Sequence, residues 1–208
     1  MTTDGPATAA PPFDALVRDV RGCTTCASVA YCHVLGAASG PLDARIIFVA
    51  EAVGRRGGAL TGIPLTQDES GRRFASFLEI AGIDRARVFV TNAVLCNPLD
   101  TQGLNRAPTA REVAACRPFL ARTLDIVRAP VVVTLGRVAL ESLREIAPHS
   151  ADLRRDVGQR AGWNGRLLVP MYHPSRQSTL HRAHESQVED WRALGQWLPK
   201  QLSRGGRR

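Results

Sequence analysis

The plainest chemistry in this sequence belongs to four cysteines. Cys23 and Cys26 form a tight knuckle, Cys23-Thr24-Thr25-Cys26, near the start of the chain. Cys96 and Cys116 come much later, on either side of a loop rich in Asn and Pro. Two thiolates from one knuckle and two from a distant segment make a tetrahedral sulfur site, which suits zinc or an iron–sulfur cluster. Such a site would pin the N-terminal arm to the body of the domain. Cys32 is left over. It reads as a small buried hydrophobe, or as a substitute for one of the four. A thiol redox pair is the rival reading of the knuckle. It needs one exposed, low-pKa thiol and leaves Cys96 and Cys116 unexplained.

The elements that must position these residues follow from periodicity. Residues 13–20 read as a short helix leading into the knuckle. Short apolar runs rich in β-branched residues predict four strands, at 45–50, 87–94, 130–136 and 167–172. Between them the pattern changes to a helical one. Residues 69–81 place Phe74, Phe77, Leu78 and Ala81 on one face. Thr109 and Glu112 form a capping box, so a helix starts there and carries Cys116 on its second turn. Further helices are expected over 137–146 and from about 184 to 202, the last with Trp191, Leu194 and Trp197 inward. Alternation of this kind implies an α/β fold, a three-layer α/β/α sandwich with a central four-stranded parallel sheet. Ligands of such sheets sit at the carboxyl ends of the strands. Glu51, Asn92 and His173 all fall at those ends.

Size and charge limit the function. The 208 residues, 44% hydrophobic and 22% charged, suit one globular domain. Its expected bounds are 12–202, after a disordered tail at 1–11 and before a basic tail at 203–208. No apolar run is long enough to span a membrane. The N-terminus lacks the pattern of a secretory signal. The cysteines fit a reducing cytoplasmic compartment better than a secreted disulfide framework. The net charge of +8 points to a polyanionic partner, with nucleic acid first. A generally basic proteome would also give that sign. The excess includes Arg55, Arg56, Arg72, Arg73, Arg106, Arg176 and Arg182.

These pieces together resemble the uracil-DNA glycosylase superfamily, in its iron–sulfur branch of families four and five. The resemblance covers roughly residues 20–195. It rests on the knuckle, on Ala50-Glu51-Ala52-Val53-Gly54, on Thr91-Asn92-Ala93-Val94, on Asn105-Arg106-Ala107-Pro108-Thr109 with Glu112 and Cys116, and on His173-Pro174-Ser175. Each is weak alone, and their order and spacing together are specific. Glu51 matches family four. The run Gly62-Ile63-Pro64-Leu65-Thr66-Gln67-Asp68-Glu69-Ser70-Gly71 looks more like family five, where Asp68 falls on an aspartate implicated in catalysis. Both families carry a phenylalanine, which stacks on the flipped base, where this chain has Leu65. A looser pocket that admits more bases than uracil would follow.

The resemblance implies a monofunctional glycosylase that flips a deaminated base from DNA and hydrolyses its N-glycosidic bond in base-excision repair. It acts as a monomer, in the cytoplasm at the bacterial nucleoid. Asn92 would read the uracil edge, because one amide offers both donor and acceptor; a turn Asn is the structural alternative. Leu65, Gly54 and Asn105 would complete the base pocket. His173 would donate to O2 of the departing base, unless it is an ordinary turn histidine. Glu51 and Asp68 are the candidate carboxylates for orienting water and stabilising an oxocarbenium-like sugar. Asp68 would equally serve as a helix N-cap. Leu180 would wedge into the duplex, with Arg176 and Arg182 on phosphates. The loop Asn97–Leu104 has no His or Arg, so covalent trapping of the product is not expected. Cys23, Cys26, Cys96 and Cys116 match the family positions for a [4Fe–4S] cluster of structural role. The rival function is a non-catalytic iron–sulfur module that binds damaged DNA.

Overall fold

The computed structural model describes residues 12–204, with side chains to residue 198. The tail expected at 1–11 and residues 205–208 of the basic tail lie outside them. Helix α1 (Pro12–Arg21) leads into the cysteine knuckle. Strands β1 (Val29–Ala30), β2 (Ile46–Ala52), β3 (Phe89–Val94), β4 (Asn97–Pro98), β5 (Val131–Leu135), β6 (Ala161–Trp163) and β7 (Arg166–Met171) follow. Between and after them come α2 (Gly58–Thr61), α3 (Glu69–Ile80), α4 (Ala110–Val127), α5 (Arg137–Arg144) and α6 (His184–Arg204).

The central sheet has the order β3-β2-β5-β7-β6. The four parallel strands are those expected. The expected strand count was one too low, because β6 joins the edge antiparallel to β7, with Trp163 opposite Arg166. The hairpin turns on Asn164-Gly165, both at positive φ (46° and 71°). That is the geometry of a two-residue hairpin turn, which Asn-Gly favours. Trp163 is buried and donates its indole N–H to Ala147 O at 2.8 Å.

Alternation along the strands sorts the core into two layers. Ile47, Val49, Phe89, Val132 and Leu168 pack with α1, α4 and α5. Ile46, Phe48, Val90, Val133 and Val169 pack with α3 and α6. In the second layer Trp191 stacks on Phe48 and Phe77 at 5.7 and 5.3 Å. Capping matches expectation at both key helices. Asp68 Oδ1 accepts from Gly71 N at 2.8 Å, and the Thr109–Glu112 box opens α4.

The strand order reverses between β2 and β5: the chain leaves β2 for β3 on one side, then crosses to β5 and β7 on the other. A crevice opens at the carboxyl end of such a switch point. A second, two-stranded ladder pairs Val29 with Pro98 and Ala30 with Asn97. It fastens the N-terminal arm to the segment that follows β3.

Candidate active site and cysteine centre

A cavity of about 530 Å³ lies at this carboxyl edge. Glu51, Gly54, Leu65, Asp68, Asn105 and His173 all line it. They come from the end of β2, the loop after it, the N-cap of α3, the loop before α4 and the segment after β7. Glu51 lies within the last two residues of β2 rather than beyond the strand.

Burial pushes the Glu51 carboxyl above the ordinary carboxylate range, and Arg137 at the start of α5 partly opposes it. The group therefore holds a proton more tightly than an exposed glutamate, which makes it a better base. His173 behaves in the opposite sense. Its ring is densely surrounded but keeps part of its surface open to the cavity. Desolvation takes its pKa down to about 4. The imidazole is therefore neutral at pH 7, with one ring N–H to donate.

Asp68 both caps α3 and reaches into the cavity. A Cβ on Gly54 would stand 2.5 Å from its Oδ2, and one on Gly57 2.6 Å. Glycine at both positions is what lets the carboxylate lie against the loop after β2. Leu65 precedes Asp68 in a strained segment, with φ 51° at Leu65 and 62° at Gln67. Hydroxyls brace it: Thr61 and Thr66 share a 2.8 Å bond, and Ile63 N donates to Thr61 Oγ1 at 3.1 Å. Left-handed backbone at non-glycine residues costs energy and persists where surrounding contacts enforce it. Among the described residues no Phe, Tyr or Trp lines the cavity.

Asn92 does not line the cavity. It is buried in β3, opposite Ala50, and its Nδ2 has no hydrogen-bond partner. A buried donor without an acceptor is costly, so a carbonyl oxygen brought to it would be bound favourably. The residue that lines the cavity instead is Asn97, which the sequence reading passed over. Its Nδ2 donates to Val53 O at 2.7 Å and to Asn105 Oδ1 at 3.0 Å. Asn105 Oδ1 also accepts from Arg55 N at 3.1 Å, so its amide is held by two donors. Asn97 follows Cys96 in an Asn-Pro pair that reads as a plain turn. Its burial comes from the β1–β4 ladder, which no local signal announces.

The arginines divide sharply. Arg106 grips Glu112 through two bonds of 2.6 and 2.7 Å and also donates to Leu99 O and Ser28 O. It locks the loop before α4 to the knuckle. The Arg106 guanidinium holds the Glu112 carboxyl down to about 2. Arg182 is clamped by Asp190 at 2.5 and 2.6 Å, so its charge is neutralised rather than offered to a phosphate. Arg176 and Leu180 lie on an exposed 3₁₀ turn, Leu180 at 83% exposure.

Cys23, Cys26, Cys96 and Cys116 line one small cavity of about 20 Å³, walled by Val20, Leu95 and Phe119. None is in a disulfide. Burial raises the Cys116 thiol, and the charges of Cys96, Cys23 and Cys26 add to it, so the four sulfurs sense one another. Leu95 N donates to Cys116 Sγ at 3.3 Å. His33 Nε2 meets Cys23 O at 2.9 Å, and Tyr31 Oη bonds Thr24 O at 2.9 Å and Cys26 O, bracing the knuckle. Cys32 is not among the residues lining that cavity; its S–H is on Leu95 O at 3.8 Å and its sulfur neighbours Cys96. The contact between the two sulfurs favours thiolate at Cys96 and keeps Cys32 a thiol. Among the described residues no three His, Cys, Asp or Glu side chains are gathered tightly enough for one metal ion. Four sulfurs lining one apolar void are the donor set of a tetrahedral sulfur site, which suits zinc or an iron–sulfur cluster. No helix among the described residues is long and apolar enough to cross a membrane.

Several known proteins have sequences related to this one. The family model described as "Uracil DNA glycosylase superfamily" matches residues 37–195. A Type-4 uracil-DNA glycosylase of Thermotoga maritima is 32% identical over 157 residues, covering 75% of this chain and 78% of that one. A second Type-4 uracil-DNA glycosylase, of Archaeoglobus fulgidus, is 28% identical and covers 90% and 94%. A Type-5 uracil-DNA glycosylase of Pyrobaculum aerophilum is 30% identical and covers 65% and 63%.

Proposed function

Because the chain belongs to the uracil DNA glycosylase superfamily, we propose that it is a monofunctional uracil-DNA glycosylase that flips the base out, hydrolyses its N-glycosidic bond and leaves an abasic site. The observation that carries this reading is the single cavity shared by a base-like carboxylate, a second carboxylate and a neutral imidazole. Breaking the bond puts positive charge on the sugar and negative charge on the leaving base. His173 donates its N–H to O2 of the departing uracil, and a neutral donor suffices because the negative charge develops only in the transition state. Glu51 orients and deprotonates the attacking water. Asp68 faces the sugar and stabilises its positive charge.

Leu65 gives the base an aliphatic rather than an aromatic contact, so the pocket is open to other deaminated bases. Asn105 presents its amide N–H from the cavity wall, and Asn92 supplies the buried donor beneath. Leu180 and Arg176 meet the DNA beside the flipped nucleotide. Lys200, in α6, is the only lysine in the chain, so a Schiff-base lyase step is not part of the mechanism. Cys23, Cys26, Cys96 and Cys116 hold a [4Fe–4S] cluster. When bound it supplies a covalent cross-link between the knuckle and the end of β3; the hydrolytic residues act without it. The protein works on DNA as a monomer, in the bacterial cytoplasm at the nucleoid.

The test is alkaline strand cleavage of an end-labelled oligonucleotide with one uracil after incubation with the protein. Cleavage at that uracil alone is the expected result. Intact strands, with folded protein and its visible cluster absorbance present, would overturn the glycosylase reading in favour of a non-catalytic binder of damaged DNA.

A further inference from the structure

A second groove, of about 600 Å³, opens beside the catalytic cavity and shares Asp68, Ser70 and Asn105 with it. Arg55, Arg56 and Arg72 line it, together with Gln67 and Glu69. None of the three arginines is in an ion pair among the described residues, whereas Arg106, Arg117, Arg122, Arg137, Arg155 and Arg182 all are. Two of the three are nonetheless held in place. Arg55 Nη1 donates to Gly103 O at 2.9 Å, and Arg72 Nη1 to Gln67 O at 2.6 Å. A guanidinium fixed by one nitrogen keeps its remaining donors for a ligand and loses little entropy on binding it. Two carboxylates also face the groove. Asp68 has one oxygen on the Gly71 amide, and Glu69 is exposed in the first turn of α3. Three cations against them leave the groove net positive.

The geometry points to this groove as a binding site for the phosphodiester backbone of the DNA strand that carries the flipped nucleotide. The strand enters on Arg55, Arg56 and Arg72, crosses the cavity where its nucleotide turns inward, and leaves past Arg176, whose neighbours Ser175 and Gln177 line the cavity. Anchoring the backbone on both sides of the reacting sugar holds C1′ over the carboxylates, which is the role phosphate contacts play in positioning. The site rests on the reading of the protein as a DNA glycosylase and adds the track by which its substrate is held.

The test is fluorescence anisotropy with a single-stranded oligonucleotide carrying one tetrahydrofuran abasic analogue, titrated across a range of salt concentrations, alongside the uracil-release assay. Each phosphate contact adds about 0.7 to the slope of log affinity against log salt on single strands. The Arg55→Ala/Arg56→Ala/Arg72→Ala variant should lower the slope by about 2. Arg56→Ala alone, which removes neither loop hydrogen bond, should lower it by about 0.7. Arg155→Ala, whose partner is Asp156, is the reference and leaves the slope unchanged. Slopes in the groove variants equal to the Arg155→Ala slope would overturn the site. If wild type releases uracil in that case, the glycosylase reading stands without the groove. A slope that falls as expected in a protein that releases no uracil would keep the groove and remove the glycosylase reading. No binding by wild type would remove the groove, and the glycosylase reading with it only if no uracil is released.

Discussion

The catalytic cavity and the cysteine cavity lie next to each other and are built on opposite plans. The catalytic one is wide, about 530 Å³, and lined by carboxylates, amides and an imidazole. The cysteine one is narrow, about 20 Å³, and walled by apolar side chains. They touch through the backbone: Val53 N donates to Cys96 O at 3.3 Å, and Asn97 bonds Val53 O. A site that must take in and release a nucleotide keeps open volume and polar groups under strain. A site that holds its contents permanently closes around them. The first should lose rate without losing stability when altered; the second should lose stability first and rate only as a consequence.

The largest expected effect tests the closed site. Cys96→Ala should abolish the visible absorbance of the purified protein and lower its melting temperature, because the knuckle and the end of β3 lose their cross-link. Unchanged melting would mean that the β1–β4 ladder alone secures the arm, and the contrast between the two sites would fail. The next tests the open site. His173→Ala should lower the single-turnover rate on the order of 10²-fold, the effect of losing one preorganised donor, with melting unchanged. Its pH dependence sharpens the point. The folded pKa is depressed to about 4, so the neutral ring persists above that value. The ratio of wild-type to His173→Ala rates should therefore stay constant between about pH 7 and 5, against an ordinary imidazole pKa near 6.5. A ratio that falls in that window would mean the ring protonates as an exposed histidine does. The same depression means that the stability contributed by the neutral ring is present above about pH 6.5 and is lost as pH falls toward about 4.

The smallest expected effect separates the two roles of Asp68. Asn caps a helix about as well as Asp, so Asp68→Asn should keep the melting temperature and lower the single-turnover rate about tenfold or more, at least ~1.4 kcal/mol. Asp68→Ala should show that loss together with a destabilisation of about 1 kcal/mol from the missing cap. A fully active Asp68→Asn protein would make Asp68 a cap only and leave Glu51 as the working carboxylate.

The parallel strands and helices were legible because burial on both faces writes apolar runs, and burial on one face writes a helical stripe. The Thr109–Glu112 and Asp68 caps were legible because their partners lie within one turn. The edge strand β6 was missed although its signal, Asn164-Gly165, is present. Only three residues flank the turn on that side, too few to show alternation. In the site, Glu51 and His173 were legible from residue type and strand-end position, whereas Gly54, Leu65, Asp68 and Asn105 came only through the resemblance to the family. Asn97 came through neither, because its neighbours Val53 and Asn105 meet it only after β2 and the loop before α4 are brought together.

Sequence by itself determined the elements, the set of four cysteines and the polar residues at the strand ends, since each depends on residue type and on neighbours close along the chain. Tertiary structure decided which groups are available to a ligand. Arg182 and Arg106 look as free in sequence as Arg55 and Arg72, yet Asp190 and Glu112 neutralise the first two. Asn92 and Asn97 are equally polar, yet Asn97 Nδ2 is taken by Val53 O and Asn105 Oδ1 while Asn92 Nδ2 is left without a partner. The reason is physical: a charge or an amide acts through whatever lies within a few ångströms, and at these sites the fold, not the order of residues, sets that neighbourhood.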